Sequence, residues 1–359
     1  MRMRPCLLTG LQQDSAVPSG VATCHGDPPV TASDTDQITV LAELASESLP
    51  LWDVPADATV RLVNLSENAT YLVESPSAHR TVLRLHRDGY HSRRAIECEL
   101  AWMAALDRDG GVETPRPIPG RDGALIQERG TAGLAPRRMV MFEFLDGEAP
   151  DPDRDLVAPF RQLGAIAAKT HLHTISWRRP EPFERLVWDD ETILGPHATW
   201  GDWRDTPGLE LESERTLAAA EALVRARLAT YGRGPDSYGL IHADMRLANL
   251  LIDGGRTRLI DFDDCGFGWF MYDFAAGISF MEDHPQVPAL RAAWLDGYRA
   301  VRPVSDADEA EIDSFIMLRR LALLAWIGSH AGTDLARAQA PHFASASARL
   351  ARDYLDRRG

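Results

Sequence analysis

Lysine is all but missing from the 359 residues. Lys and Arg together number 38, and Lys169 is the only lysine. Nearly all fixed positive charge is therefore guanidinium, which stays protonated and forks onto oxyanions. Cysteine is also scarce: Cys6, Cys24, Cys98 and Cys265 stand far apart, with no Cys-x-x-Cys pair. That spacing excludes a disulfide framework and a zinc ribbon. No stretch reaches the roughly 20 uninterrupted apolar residues of a membrane span, and the short Leu-Leu near Met1 cannot form a signal-peptide core. A cytoplasmic protein with no membrane partner is expected. The acidic surplus, net charge −15, argues against nucleic acid, whose backbone demands basic patches. It is compatible with a cationic small-molecule substrate. Residues 1–37, rich in Gly, Pro, Ser, Thr and Asp, carry no helical or strand period and read as a disordered tail.

What is present is concentrated in residues 240–264, LIHADMRLANLLIDGGRTRLIDFDD. A His-x-Asp (His242, Asp244) is followed five residues later by Asn249, and Asp261 lies beyond in an apolar setting. Between them, β-rich runs at 250–252 and 257–260 are joined by Asp253-Gly254-Gly255. This is a strong hairpin signal, although a three-residue connection leaves the turn type open. Such a hairpin would fix the distance between Asn249 and Asp261. One carboxylate base and two oxygen ligands for Mg²⁺ are the parts required for phosphoryl transfer. Asp244 is the expected base, Asn249 and Asp261 the expected ligands, and His242 a support of the loop. A polar loop with ordinary turn residues accounts for each residue separately but not for their joint spacing.

The HADMRLAN stretch followed by IDFDD resembles the aminoglycoside phosphotransferase and choline kinase superfamily, small-molecule relatives of protein kinases. Its general layout is most similar to the homoserine kinase and stress-response kinase branch. The family's usual Gly is Ala243 here. The resemblance implies a bilobal, kinase-like α+β fold, with a small antiparallel β-sheet lobe and a larger, mainly helical one. It implies ATP as co-substrate with Mg²⁺, Asp263 as a further metal ligand and Asp273 as a brace of the catalytic loop. The implied reaction moves the γ-phosphoryl to a hydroxyl of an amino alcohol, an aminoglycoside or a homoserine-like molecule. A Ser/Thr protein kinase and a nucleotide-binding pseudokinase are the alternatives.

Strand-like runs at 60–63, 69–73 and 81–85 suggest the small sheet. In the resembled family the loop after the first strand covers the ATP phosphates. This one has no Gly, so Ser66 and Asn68 would donate side-chain hydrogen bonds instead. Arg84 stands where kinases carry their strand lysine. On the helix expected over 92–107, Glu99 lies nearer the apolar stripe than Glu97 and is the expected partner of Arg84. Strands at 124–127 and 139–144 lead to a hinge where Glu143 and Leu145 would read adenine. The lobes then span 38–143 and 144–359. Helices are expected at 156–173, 211–231, 287–299, 307–330 and 333–357, with a further one opened by residues 266–276. Residues 177–209 look irregular, and their four tryptophans suit either a cation-binding pocket or packing. His171 and His173 point about 200° apart on a helix and are expected to be structural.

Overall fold

The computed structural model describes residues 32–65, 68–131 and 134–359, with side chains from residue 38 onward. Contacts divide the chain into two compact units. One comprises Met1–His91 and Pro117–Phe144, the other Ser92–Arg116 and Leu145–Gly359.

The first unit is one antiparallel sheet with a helix. Its strands are β1 (Thr59–Leu65), β2 (Ala69–Glu74), β3 (Arg80–Leu85), β4 (Pro117–Ile118), β5 (Gln127–Thr131) and β6 (Leu134–Glu143), in the order β1-β2-β3-β6-β4 with β5 also on β6. Alternation along the strands sorts the faces. Leu83 and Leu85 join Tyr71, Val73, Met139 and Met141 in a core closed by Leu41, Leu44 and Ala45 of α1 (Ala32–Ser48) and by Trp52. Arg84, between Leu83 and Leu85, faces the other way. The α1 helix thus supplies three of the buried core side chains. The β5 strand lies three residues beyond its expected start, because Ala124 is spent in a turn, where its carbonyl accepts from Gly120 N.

The second unit is mainly helical: α2 (Arg93–Ala105), α3 (Val157–Ser176), α4 (Asp190–Leu194), α5 (Leu211–Tyr231), α6 (Tyr272–Gly277), α7 (Val287–Arg299), α8 (Asp306–Ser329) and α9 (Asp334–Arg358). The long helices fall within two or three residues of their sequence expectations. Helices α3 and α7 cross closely because both carry glycine there. A Cβ on Gly164 would lie 2.0 Å from the Trp294 carbonyl oxygen, and one on Gly297 1.8 Å from that of Arg161. The α2 helix belongs with this unit for a visible reason: its N-cap Ser92 donates to Glu184, and Arg185 donates to the Ala95 carbonyl.

Two small sheets complete the unit. One is the hairpin of β9 (Leu250–Asp253) and β10 (Arg256–Leu259). The other has the order β7-β11-β8, from Leu186–Trp188, Gly266–Trp269 and Tyr238–Ile241. Residues 266–269, expected to open a helix, are instead a strand, and α6 starts only at Tyr272. Glycine explains the difference, since a Cβ on Gly266 would come within 2.4 Å of the Leu186 carbonyl oxygen. The close strand approach needs the residue that read as a helix-entry loop. The segment 177–209 likewise contains β7 and α4, the latter closed by an Asp189–Thr192 capping box. Among the described residues no helix is long and apolar enough to cross a membrane.

Candidate active site

The hairpin turn is tighter than the sequence suggested. Asp253 pairs with Arg256, so the connection is the two residues Gly254 and Gly255, with φ of +55° and +80°. Positive φ at both positions belongs to the type I′ turn, whose twist matches the strands. The ladder continues past its last pair, because Ile260 N donates to the Asn249 carbonyl at 2.9 Å. Asn249 and the residue preceding Asp261 are thereby tied side by side. On its outer edge the hairpin pairs with Glu148, next to Gly147, where a Cβ would lie 2.8 Å from that of Leu251.

Asp244 follows β8 on a loop that turns sharply at Ala243, φ +67°. That backbone conformation explains why glycine suits the position. An Ala243→Gly variant should change stability by less than about 1 kcal/mol, because strain relief and the lost buried methyl oppose each other. Ala243→Val should cost at least about 2 kcal/mol, since a β-branched side chain resists positive φ. Urea unfolding midpoints would check both.

The Asp244 carboxylate is almost fully enclosed and heavily bonded. Asn249 Nδ2 donates to Oδ2 at 2.7 Å and to the main-chain carbonyl at 2.9 Å. Arg246 Nε donates to Oδ2 at 3.1 Å, and Arg319 Nη2 to Oδ1 at 2.6 Å. Burial alone would push this carboxyl up. The charges of Arg246 and Arg319 outweigh burial and hold it below the ordinary carboxylate range.

His242 is buried and neutral. Its Nδ1 accepts from Asp244 N and its Nε2 donates to the Ile260 carbonyl, both at 3.2 Å. A single tautomer satisfies the two bonds, and burial pushes its pKa down, with Asp273 and Asp244 opposing. Asp273, at the start of α6, accepts from Ala243 N at 2.7 Å, His242 N at 3.2 Å and His171 Nε2 at 2.9 Å. The other His171 nitrogen meets the Tyr298 hydroxyl at 3.0 Å. The main chain at 242–243 is thus bonded to α6 and α3 through one carboxylate, and His171 carries the link on to α7. His173, by contrast, lies beside Trp177, its ring 5.6 Å away.

Asp261 has φ +62°, a conformation acidic residues tolerate better than most. The Asp263 side chain is buried, and its main-chain carbonyl accepts from Arg185, which also donates to the Cys265 carbonyl at 2.7 Å. The donor set fits Mg²⁺. Asn249 commits its NH₂ to Asp244, which leaves the amide oxygen as the ligating end. Among the described residues no three His, Cys, Asp or Glu side chains gather as a metal cage. Mg²⁺ characteristically uses one or two carboxylates and completes its shell with phosphate and water.

The remaining expected residues are distributed as follows. Arg84 is buried on β3, its guanidinium 5.0 Å from the Phe142 ring. Asn68 Oδ1 accepts from Arg87 N at 3.0 Å, while Ser66 lies outside the described residues. Glu143 is exposed at the end of β6, and half-buried Leu145 begins the second unit. Glu99 is fully buried on α2, within the electrostatic reach of Arg185 and His242. The tryptophans of 177–209 are occupied by the protein's own groups. Trp188 donates to the Asp264 carbonyl and Trp203 to Glu221. Arg204 lies 4.3 Å over Trp203, and Arg319 lies 5.3 Å from Trp200.

Two residues escaped sequence reasoning about the site: Arg246 and Arg185. Arg319 and Arg320, paired inside an otherwise apolar stretch of α8, read from the sequence as bonding acidic neighbours rather than a substrate carboxylate. Both bond acids, Arg319 Asp244 and Arg320 Glu282.

The family model described as APH, phosphotransferase enzyme family, matches residues 59–308. The chain belongs to that family. A solved microcompartment-associated aminopropanol kinase is 44% identical, with a TM-score of 0.82 over 88% of this chain and 98% of that one. An amicoumacin kinase solved with AMP-PNP and Ca²⁺ shares the fold, at 19% identity and a TM-score of 0.72 over 91% of this chain and 96% of that one. The homoserine kinase of Gluconobacter oxydans (strain 621H) is 28% identical over 231 residues, 61% of this chain and 67% of its own. The α+β kinase-like fold expected from the sequence is the fold observed.

Proposed function

We propose that the protein is an ATP- and Mg²⁺-dependent kinase that phosphorylates the hydroxyl of a small amino alcohol. The observation that carries this reading is the fixed Asp244 carboxylate, with Asn249 held beside it and tied through the hairpin to Asp261. Likeness to the aminopropanol kinase favours an amino alcohol over larger acceptors, and the net charge of −15 suits a cationic substrate.

Asp244 accepts the acceptor hydroxyl's proton and aligns its oxygen for in-line attack. Its depressed pKa suits a loose transition state, in which the proton is needed late and orientation matters most. Asn249 Oδ1 and Asp261, with Asp263 adjacent, would hold Mg²⁺, which when bound neutralises phosphate charge. Arg84 supplies cationic charge for the nucleotide phosphates in place of lysine, with Glu99 the acid assigned to order it. Asn68 and Ser66 are assigned to the phosphates, and the main chain at Glu143 and Leu145 to adenine. His242 and Asp273 keep the loop in shape.

Purified protein would be screened by ADP release with ATP over amino alcohols, homoserine, aminoglycosides and a mixed protein acceptor. Turnover should rise with a small amino alcohol, vanish with EDTA and return with Mg²⁺. Stimulation by protein acceptors alone, or EDTA-resistant turnover, would overturn the proposal.

A further inference from the structure

The Asp244 carboxylate has about four acceptor directions, two on each oxygen. Oδ2 uses both of its own, for Asn249 Nδ2 and Arg246 Nε, and Oδ1 uses one for Arg319 Nη2. One direction is left, on Oδ1, beside the guanidinium. Arg319 is itself held from three sides: Nε donates to Ser279 Oγ at 2.9 Å, Nη1 to the Ala243 carbonyl at 3.2 Å, and Nη2 to Asp244. The Trp200 and Tyr272 rings flank it at 5.3 and 5.9 Å. Three acceptors in three directions suit a planar fork and not a single ammonium.

We propose that Arg319 is a positioning residue of the phosphotransfer site, which pins Asp244 so that the acceptor hydroxyl is received on Oδ1. This rests on the reading of Asp244 as the base. It adds that a residue of α8, 75 positions beyond Asp244, sets the orientation of that base. The charged or titratable groups acting on Asp244 are Arg246 and His242 of its own loop and Arg319 of α8. Tyr272 and Asp264 act in turn on Arg319.

Without the fork the carboxylate is free to rotate, so the aligned step should depend on Arg319 while nucleotide binding does not.

The test compares kcat, acceptor KM and nucleotide affinity for wild type, Arg319→Gln and Arg319→Lys, with the best acceptor from the screen. Arg320→Gln serves as control, since it breaks a buried ion pair one residue away that does not touch Asp244. In Arg319→Gln kcat should fall at least about tenfold, with nucleotide affinity unchanged. In Arg319→Lys kcat should fall as well, because charge survives and the fork does not. Arg320→Gln should keep a kcat near that of wild type.

A wild-type kcat in Arg319→Gln or Arg319→Lys, or an equal fall in Arg320→Gln, would overturn the proposal. If Arg319→Gln does not fold, Arg319→Lys alone decides. An Asp244→Asn enzyme with full activity would instead sink the base assignment underneath, so the two failures are distinguishable.

Discussion

Asp244→Asn should lower kcat by at least about a hundredfold, the lower end of what a positioned general base contributes, while nucleotide binding persists. The amide cannot accept a proton, and it cannot satisfy its surroundings either. Oδ1 and Oδ2 now receive three donors, two of them from guanidinium groups. An NH₂ group in either place would face a donor. Breaking a buried ion pair by removing one partner costs about 3–5 kcal/mol, and Arg246 is partly open to water, which softens its share. The variant should therefore unfold at lower temperature as well as turn over slowly. Kinetics belong well below its melting point, with nucleotide affinity measured by calorimetry on the same sample. A slow enzyme that still binds ATP supports the assignment; one turning over at the wild-type rate refutes it.

Asp273→Ala is expected to have the largest effect on stability. The change strands two main-chain amides and one imidazole nitrogen, all buried. Each unsatisfied buried donor costs about 1–3 kcal/mol, so the three together should cost on the order of 3–9 kcal/mol. The loss should spread, because His171 also carries the Tyr298 contact on α7. Asp273→Asn keeps one acceptor oxygen and should lose less. Thermal unfolding of the three proteins gives the ranking directly, and equal midpoints for wild type and Asp273→Ala would remove Asp273 from the network. Mg²⁺ should not rescue the midpoint, since no proposed ligand is altered.

Much of this site was legible because it is local. His242, Asp244, Asn249 and Asp261 lie within 20 residues, and the hairpin that organises them is signalled by Asp-Gly-Gly between β-rich runs. The long helices were legible for the same reason: their apolar period and caps are written in consecutive residues. The β7-β11-β8 sheet was not, because its strands come from residues 186–188, 266–269 and 238–241 and two are rich in glycine or very short. Nothing within any one of them announces the other two.

Sequence alone determined the parts from which the chemistry is proposed: which acids, which amide and which absences, above all a first unit without lysine, in which Arg84 is the residue proposed to stand for it. Tertiary structure decided how that chemistry is held. Arg319 reaches Asp244 from α8, Arg185 ties α2 to the loop of Asp263, and Asp273 joins the 242–243 loop, α3 and α6 through one carboxylate. Spacing along the chain can place groups separated by one turn or one hairpin, where backbone geometry fixes the distance. It cannot place groups that meet only because helices pack, since that distance is set by side-chain volume and close approach elsewhere, as at Gly164 and Gly297.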